Sequence, residues 1–562
     1  MTTINEVVYT ALNDGYGGTI NEVIYRGMLT AVNGSPIYSP KIVTIGDSIM
    51  AGNVEITAGG GSTAEPSHSG MRGFVNWTQF LTGNPLTWRF QNWDGTQVGG
   101  NAFAVAGDSL VNILARLDNA LKQNPDVLWA HFGTNDITAG ESAATILDGY
   151  RWMIRRAAER NARVWIDTVL YRSTLTAPQE LVRQAVNTGI RLLENEFKGR
   201  VLVFDYDAMT DSAYFSDGTH PNAAGAEWMA RNVIIPKLGV FYGLQKVKRG
   251  LPDNYDATTS PMGNLLTNSD FTGTGGTIAG TGNSGTIPDS WSTAKTDGTV
   301  LAVAFSTSSL TDWDGETRNF VKMAMSSDGS GVDNETARFN PTSTITSNVV
   351  AGQWYTCECE VLVDDVLSGS NILRSVYIEL RDNGTSGPIT RSFNVGYSAT
   401  GPVKEYFPTG GGQRRLLLRT FPFQARTASG LILRINVDAD CTLTGSRVVY
   451  WGKPVVKPIS FISDYGLAPQ YVVATAGTTI YCRGGADSRL ILNPAGTLAT
   501  LTVVMPALPQ NGDIQVITSS QMVTALTLTS GKTVNGAASA LAANVPVAYQ
   551  FNSTADKWFK IG

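Results

Sequence analysis

Histidine is scarce in this chain: His68, His131 and His220 are the only three among 562 residues. Any chemistry that needs an imidazole must draw on one of them. Cysteine is nearly as rare. Cys357, Cys359, Cys441 and Cys482 all lie in the second half. The closest two, Cys357 and Cys359, stand two apart on an expected strand and point the same way. That spacing fits no zinc or redox motif, so the four read as small buried thiols. With imidazoles scattered and thiols unclustered, a catalytic metal is not expected. Charged residues make up 16% of the chain and the net charge is −5. No strong pull on nucleic acid or on an anionic membrane follows from that balance. No apolar run approaches the roughly 20 residues a membrane helix needs. The opening "MTTINEVVYTALNDGYGG" has no basic stretch and no long apolar core, so no signal peptide is expected. If the protein works outside a cell, it is expected to leave by another route, such as lysis.

Glycine is plentiful, at 59 residues, and the length suits several domains. Residues 1–40 hold an internal repeat: "TINEVVY" at 3–9 returns as "TINEVIY" at 19–25. Each copy carries a capping-box pattern, Thr3 to Glu6 and Thr19 to Glu22, before an apolar stripe. Two such short helices cannot bury themselves alone and read as an attachment or oligomerising element, or as a cap on the next domain. From 41 to 245, apolar runs such as "KIVTI", "AFAVA", "DVLWAHF", "ARVWIDTVL" and "RVLVFDY" alternate with helical stretches. That alternation predicts an α/β domain with a parallel sheet flanked by helices. The stretch "AAGAEWMARNVIIPKLG" reads as its closing helix. Residues 246–263 are polar and broken by proline, as a linker would be. Residues 264–460 alternate in short runs with turn-rich spacers, which predicts an antiparallel β-sandwich. Residues 465–562 are again expected to be all β, with little charge.

Two tripeptides frame the chemistry. Gly46-Asp47-Ser48 follows the first expected strand, and Gly107-Asp108-Ser109 follows the second. A serine on a tight turn opening a helix gains backbone freedom from the glycine and N–H donors from the helix start. Both serines satisfy this, so local geometry does not choose between them. A serine nucleophile needs a base, most often histidine. His68 sits in a Gly/Ser/Pro-rich loop and His131 within an expected strand. His220 lies in "FSDGTHPNAAG", with Asp217 three residues before it, close enough to hold and orient the ring. Taken alone, such a pair is usually ordinary turn chemistry. Gly133-Thr134-Asn135-Asp136 follows the third strand, where a parallel sheet places its ligands. Asn135 offers an amide donor there, or Asn135 or Asp136 simply caps the next helix.

The four segments in this order resemble the SGNH, or GDSL, hydrolase family over about residues 41–244, with a flavodoxin-like α/β fold. The resemblance implies Ser48 as nucleophile, His220 as base and Asp217 as its supporting acid. It implies an oxyanion hole from the backbone of Ser48, the backbone of Gly107 and the Asn135 amide. Ser109 then becomes a helix-start residue. Ala106 stands where the family commonly has serine, without an expected consequence. The implied reaction is ester hydrolysis through an acyl-serine, which calls for no metal or organic cofactor, with activity falling as the base takes up a proton in mild acid.

The start of the middle domain, "NLLTNSDFTG", and its closing "SRVVYWGKPVV" look like carbohydrate-binding β-sandwich modules. That resemblance makes Trp291, Trp313, Trp354 and Tyr355 candidates for stacking on sugar rings, against the plainer reading that they fill the core. The last hundred residues look like C-terminal domains of bacteriophage fibre proteins, which implies a homotrimer in a virion, attached to other virion proteins through its N-terminus. The combined expectation is a virion-associated esterase acting on O-acetylated host polysaccharide, capsule or lipopolysaccharide. Two rival expectations are a glycan-binding decoration protein with little turnover and a lipase or lysophospholipase.

Overall fold

Runs of Val, Ile, Leu, Trp and Ala too short for helices, and apolar on both sides, are suited to strands covered on both faces. In the computed structural model five of them form one parallel sheet. The structure describes residues 42–55, 68–83, 102–121, 125–160, 162–242, 249, 254–255, 263–346, 348–351, 354–383, 389–392, 405–420, 423–425, 430–459, 470–482, 487–505, 514–552 and 554–561. The repeated element at 1–40 lies outside them, as does most of the stretch 246–263. Two compact units divide the chain, Met1–Pro458 and Ile459–Gly562.

In chain order, the first part of the larger unit runs β1 (Ile42–Gly46), α1 (Ser48–Ala51), β2 (Val54–Glu55), β3 (His68–Ser69), α2 (Phe74–Thr82), β4 (Ala102–Ala104) and α3 (Leu110–Leu121). It continues with β5 (Val127–His131), α4 (Thr134–Ala139), α5 (Ala143–Glu159), β6 (Arg163–Asp167), α6 (Ala177–Glu196), β7 (Val201–Phe204), α7 (Ala223–Met229) and α8 (Ile235–Tyr242). The sheet order is β4-β1-β5-β6-β7, all parallel. The chain leaves β1 first toward β4 and later returns on the other side to β5. The direction of winding therefore reverses at β1, and the crevice beyond its carboxyl end is where such sheets bind ligands.

Each face of the sheet has its own core. Val43, Ile45, Leu128, Ala130, Val164 and Ile166 pack under α3, α5 and α6. On the other face, Ile42, Trp129, Trp165 and Phe204 begin a core that continues through α2 and α7 into the β-sandwich. The α/β part and the sandwich thus share one hydrophobic core. Helix α2 lies in that shared layer, with Phe74, Val75, Asn76, Trp77, Thr78, Gln79, Phe80 and Thr82 all buried.

Among the described residues the sandwich has a nine-stranded and a five-stranded sheet. Its pairing is mostly antiparallel, as between Ala302–Thr311 and Thr317–Asp328 and between Leu373–Asp382 and Leu431–Ala439. In strand Trp354–Val363 the alternate residues Cys357, Cys359, Val361 and Val363 join the hydrophobic core, while Thr356, Glu358 and Glu360 between them are buried outside it. All four cysteines are buried and unpaired; burial pushes the Cys441 thiol up to about 11. In the smaller unit the strands Gln470–Val472, Asp487–Leu492 and Ile514–Ser519 stack in parallel. Thr479–Tyr481, Leu501–Val504 and Leu526–Thr529 do the same. Its core, from Ala474 to Trp558, is its own. Among the described residues no helix is long and apolar enough to cross a membrane.

Candidate active site

Ser48 is the first residue of α1, at the carboxyl end of β1. Asp47 caps that short helix by accepting the N–H of Ile49 at 3.0 Å. The half-buried Ser48 hydroxyl lies 2.7 Å from Nε2 of His220, 172 residues further along. Nδ1 of the same ring lies 2.7 Å from Oδ2 of Asp217. The other Asp217 oxygen, Oδ1, accepts the backbone N–H groups of Thr219 at 2.9 Å and His220 at 2.8 Å. Burial pushes the Asp217 carboxyl up, but the bonds from His220 and Thr219 outweigh it and hold the group below the usual carboxylate range. Asp217 is thus an ionised acceptor, and the proton on Nδ1 points to it. Nε2 then carries the lone pair, facing the serine.

The loop carrying this pair is closed by Ser216, whose N–H donates to the carbonyl of His220 at 2.9 Å, and by Gly218. Gly218 has φ +79°, and a Cβ there would lie 2.3 Å from Ser173 Oγ. Glycine serves both the turn and the close approach.

Gly107 and Asn135 come to the same crevice from β4 and β5. Gly107 has φ +83° and sits exposed, with open space where a Cβ would stand. The Nδ2 of Asn135 donates to the carbonyl of Asp108 at 2.9 Å. That bond uses one of its two N–H groups and fixes the direction of the other. Asp136 Oδ1 accepts the N–H of Leu110 at 2.9 Å, so it caps α3 rather than the helix it belongs to. Burial raises its carboxyl above the ordinary value. Ser109 stands just before α3, and its carbonyl accepts the N–H of Ile113 at 3.0 Å; it is a helix-start residue. Ser48, not Ser109, is the serine that meets a histidine.

Beneath the serine lies a buried group the sequence reading did not single out. Asp47, His131 and Asp167 are all fully buried. His131 Nδ1 sits 3.4 Å from Asp167 Oδ2, a long charge contact without hydrogen-bond alignment. Asp167 Oδ1 is held by Trp129 Nε1 at 2.9 Å and the Tyr206 hydroxyl at 3.0 Å. Burial raises the Asp47 carboxyl. For His131, burial works against the charge, but the neighbouring Asp47 and Asp167 prevail and raise it. The signal in the sequence was a histidine ending a strand apolar on both faces.

The aromatic candidates of the sandwich lie elsewhere and face inward. Trp291 and Tyr355 are 0% exposed and Trp313 is 5% exposed. Trp291 donates its Nε1 to the carbonyl of Asn268 and packs against Phe271 and Phe339. Trp313 packs on Gly83 at the end of α2. A ring must offer a face to stack on a sugar, and these three offer none; they belong to the core. The side chain of Trp354 lies outside the described residues. Among the described residues no group of three or more His, Cys, Asp or Glu side chains is placed to hold a metal ion.

Residues 44–228 match the GDSL-like Lipase/Acylhydrolase family. Among solved structures, the chain is similar to a lipolytic protein of the G-D-S-L family from Veillonella parvula, at 19% identity and TM-score 0.25, over 35% of this chain and 94% of that one. It is similar to a catalytic mutant of an acetylxylan esterase from Geobacillus stearothermophilus, at 16% identity and TM-score 0.29, over 38% and 99%. It is also similar to a GDSL-like lipase from Bacteroides thetaiotaomicron, at 15% identity and TM-score 0.27, over 39% and 98%. No curated protein matches the chain. The family match covers the residues that build the parallel sheet and the Ser48–His220–Asp217 chain, and this part of the molecule is a hydrolase domain of the GDSL, or SGNH, type.

Proposed function

We propose that the protein is a serine esterase that removes O-acetyl groups from a bacterial surface polysaccharide. The carrying observation is the pair of 2.7 Å contacts joining Ser48 Oγ, the His220 ring and Asp217. Ser48 Oγ attacks the ester carbonyl while Nε2 of His220 takes its proton, and Asp217 holds the resulting imidazolium. The N–H groups of Ser48 and Gly107 and the Asn135 amide receive the oxyanion. The tetrahedral intermediate collapses, and His220 returns the proton to the leaving sugar hydroxyl. Water, deprotonated by His220, then attacks the acyl-serine; acetate leaves and the serine recovers its proton.

Access supports an ester carried on a large molecule. The His220 side chain is 35% exposed and that of Asp217 43%, so the reacting groups lie at the surface. The glycan, the virion and the trimer rest on the sequence resemblances of the two β regions. On that reading the protein is a fibre or spike component whose deacetylation alters a receptor during adsorption.

Hydrolysis of p-nitrophenyl acetate tests the chemistry. Ser48→Ala is expected to lower kcat by about 10⁴-fold or more, and a variant as active as the parent would overturn the assignment. Acetate release from purified capsule and lipopolysaccharide tests the substrate. Faster turnover of long-chain than of acetyl esters would instead favour a lipase. Light scattering of the full chain tests the trimer, and a monomer would remove it.

A further inference from the structure

His220 is followed, after Pro221 and Asn222, by α7, and that helix is gripped by the β-sandwich. Glu405 belongs to the sandwich and is 4% exposed. Its Oε2 accepts the N–H of Ala223, the first residue of α7, at 3.2 Å. Its Oε1 accepts Nε of Arg72 at 3.0 Å. Arg72 in turn packs beside Gly52, which ends α1: a Cβ on Gly52 would lie 3.9 Å from the Cβ of Arg72. Ser48 stands at the other end of that short helix. One carboxylate therefore holds, with its two oxygens, a residue on the serine side and a residue on the histidine side.

A second grip lies one turn further along α7. Both oxygens of Glu227, 5% exposed, accept Nε of Arg414 at 2.9 Å. Arg414 is fixed in the sandwich by the carbonyl of Gly410 and by Asp365. Apolar contacts surround both grips. Trp77 meets Phe407 with ring centroids 5.8 Å apart, and Gly83 packs on Trp313 and Leu417.

Burying ion pairs adds little net stability over an apolar pair of similar shape, whereas their bonds are directional. Asn222 caps α7 by accepting the N–H of Gly225 at 2.9 Å, and Glu405 takes the separate N–H of Ala223 from the sandwich side. What the two grips fix is position. We infer that Glu405, seconded by Arg414, is a positioning residue that sets the Ser48–His220 approach, so that the sandwich is a working part of the hydrolytic site. The inference rests on the proposed roles of Ser48 and His220.

The test uses the full chain with Glu405→Ala and the isosteric Glu405→Gln. Turnover of p-nitrophenyl acetate is counted per serine titrated with a fluorophosphonate, so that a misfolded fraction does not lower kcat. In Glu405→Ala, kcat is expected to fall by about 10- to 100-fold with KM unchanged, the weight of a slight misplacement of the base. In Glu405→Gln, Nε2 cannot accept an N–H, one bond is lost, and kcat is expected to fall about fivefold, the weight of one ordinary hydrogen bond. Parental kcat in either folded variant overturns the inference. Amide exchange across 219–225 separates this from a failure of the esterase reading. Exchange there is expected to quicken in Glu405→Ala whether or not the protein turns over esters. Unchanged exchange overturns the inference even in an inactive protein.

Discussion

Asn135 is held by one N–H on the carbonyl of Asp108, which leaves the other free to face a developing oxyanion. Asn135→Ala is therefore expected to lower kcat by about 10²- to 10³-fold, with the thermal midpoint little changed; a loss below about tenfold would remove Asn135 from the oxyanion hole. Asp217 gives a second prediction. Its folded carboxyl is held below the usual range, so its contribution to stability is present above the ordinary carboxylate pKa. That contribution is lost as pH falls through the depressed value. Asp217→Asn should thus lower the urea midpoint slightly at neutral pH, and the gap to the parent should close below the ordinary carboxylate range. The same shift keeps Asp217 ionised through mild acid, so the acid limb of kcat/KM should have the slope of one proton, taken by the base. A two-proton slope would contradict that. At this scale the sequence pointed to Ser48, His220, Asp217, Gly107 and Asn135, through the family resemblance that its four short motifs carry together. It did not name Glu405, which belongs to no motif near the site, and it gave His131 no role beyond its place in an expected strand, which looks like ordinary core.

Elements carry the next set of causes. Strands β1 and β4 to β7 were legible as apolar runs, since burial on both faces leaves no polar alternation to read. Helix α2 was not legible: it is buried nearly all round, and the polar residues of "FVNWTQFLT", Asn76, Thr78, Gln79 and Thr82, are covered along with its apolar ones, so the sequence offers no solvent face to read. The closing helix, expected as one piece, is α7, a π turn at Ala230–Ile234, and α8. Pro236 cannot donate to Asn232, and the ladder shifts so that Ile235 donates to Ala230 instead. Strand contact also makes Gly46 irreplaceable. A Cβ there would lie 2.3 Å from the backbone oxygen of His131, which β5 holds in place. Gly46→Ala is expected to cost about 1–3 kcal/mol, the usual weight of overpacking a core, read from urea unfolding; an unchanged midpoint would mean that β1 and β5 can part at no cost.

The whole molecule has a break the local patterns suggest and a joint they do not. The unit Ile459–Gly562 has its own core, from Ala474 to Trp558. A chain ending at Pro458 is expected to fold and to hydrolyse p-nitrophenyl acetate with parental kcat; loss of folding would show that the smaller unit is needed. Residues 41–245 alone are expected to be poorly soluble, because the core that includes Trp77 and Phe80 continues into the sandwich and would be uncovered. Soluble yield and turnover of the two truncations, measured side by side, decide this. In the smaller unit, parallel stacking pairs Ile480 with Val503 and Val503 with Leu528. Alternation along one strand announced β structure there and could not announce which strand lies beside it.

By itself the sequence determined the α/β pattern and the all-β remainder, and its ordered motifs pointed to the residues of the proposed site, because strand burial, turn glycines and short motifs act over a few neighbouring residues. Tertiary structure decided that Ser48 rather than Ser109 meets His220, that the sandwich tryptophans Trp291 and Trp313 turn inward, and that Glu405 reaches α7. These are contacts between segments far apart in the chain, and only packing brings such segments within the few ångströms over which hydrogen bonds and dispersion act.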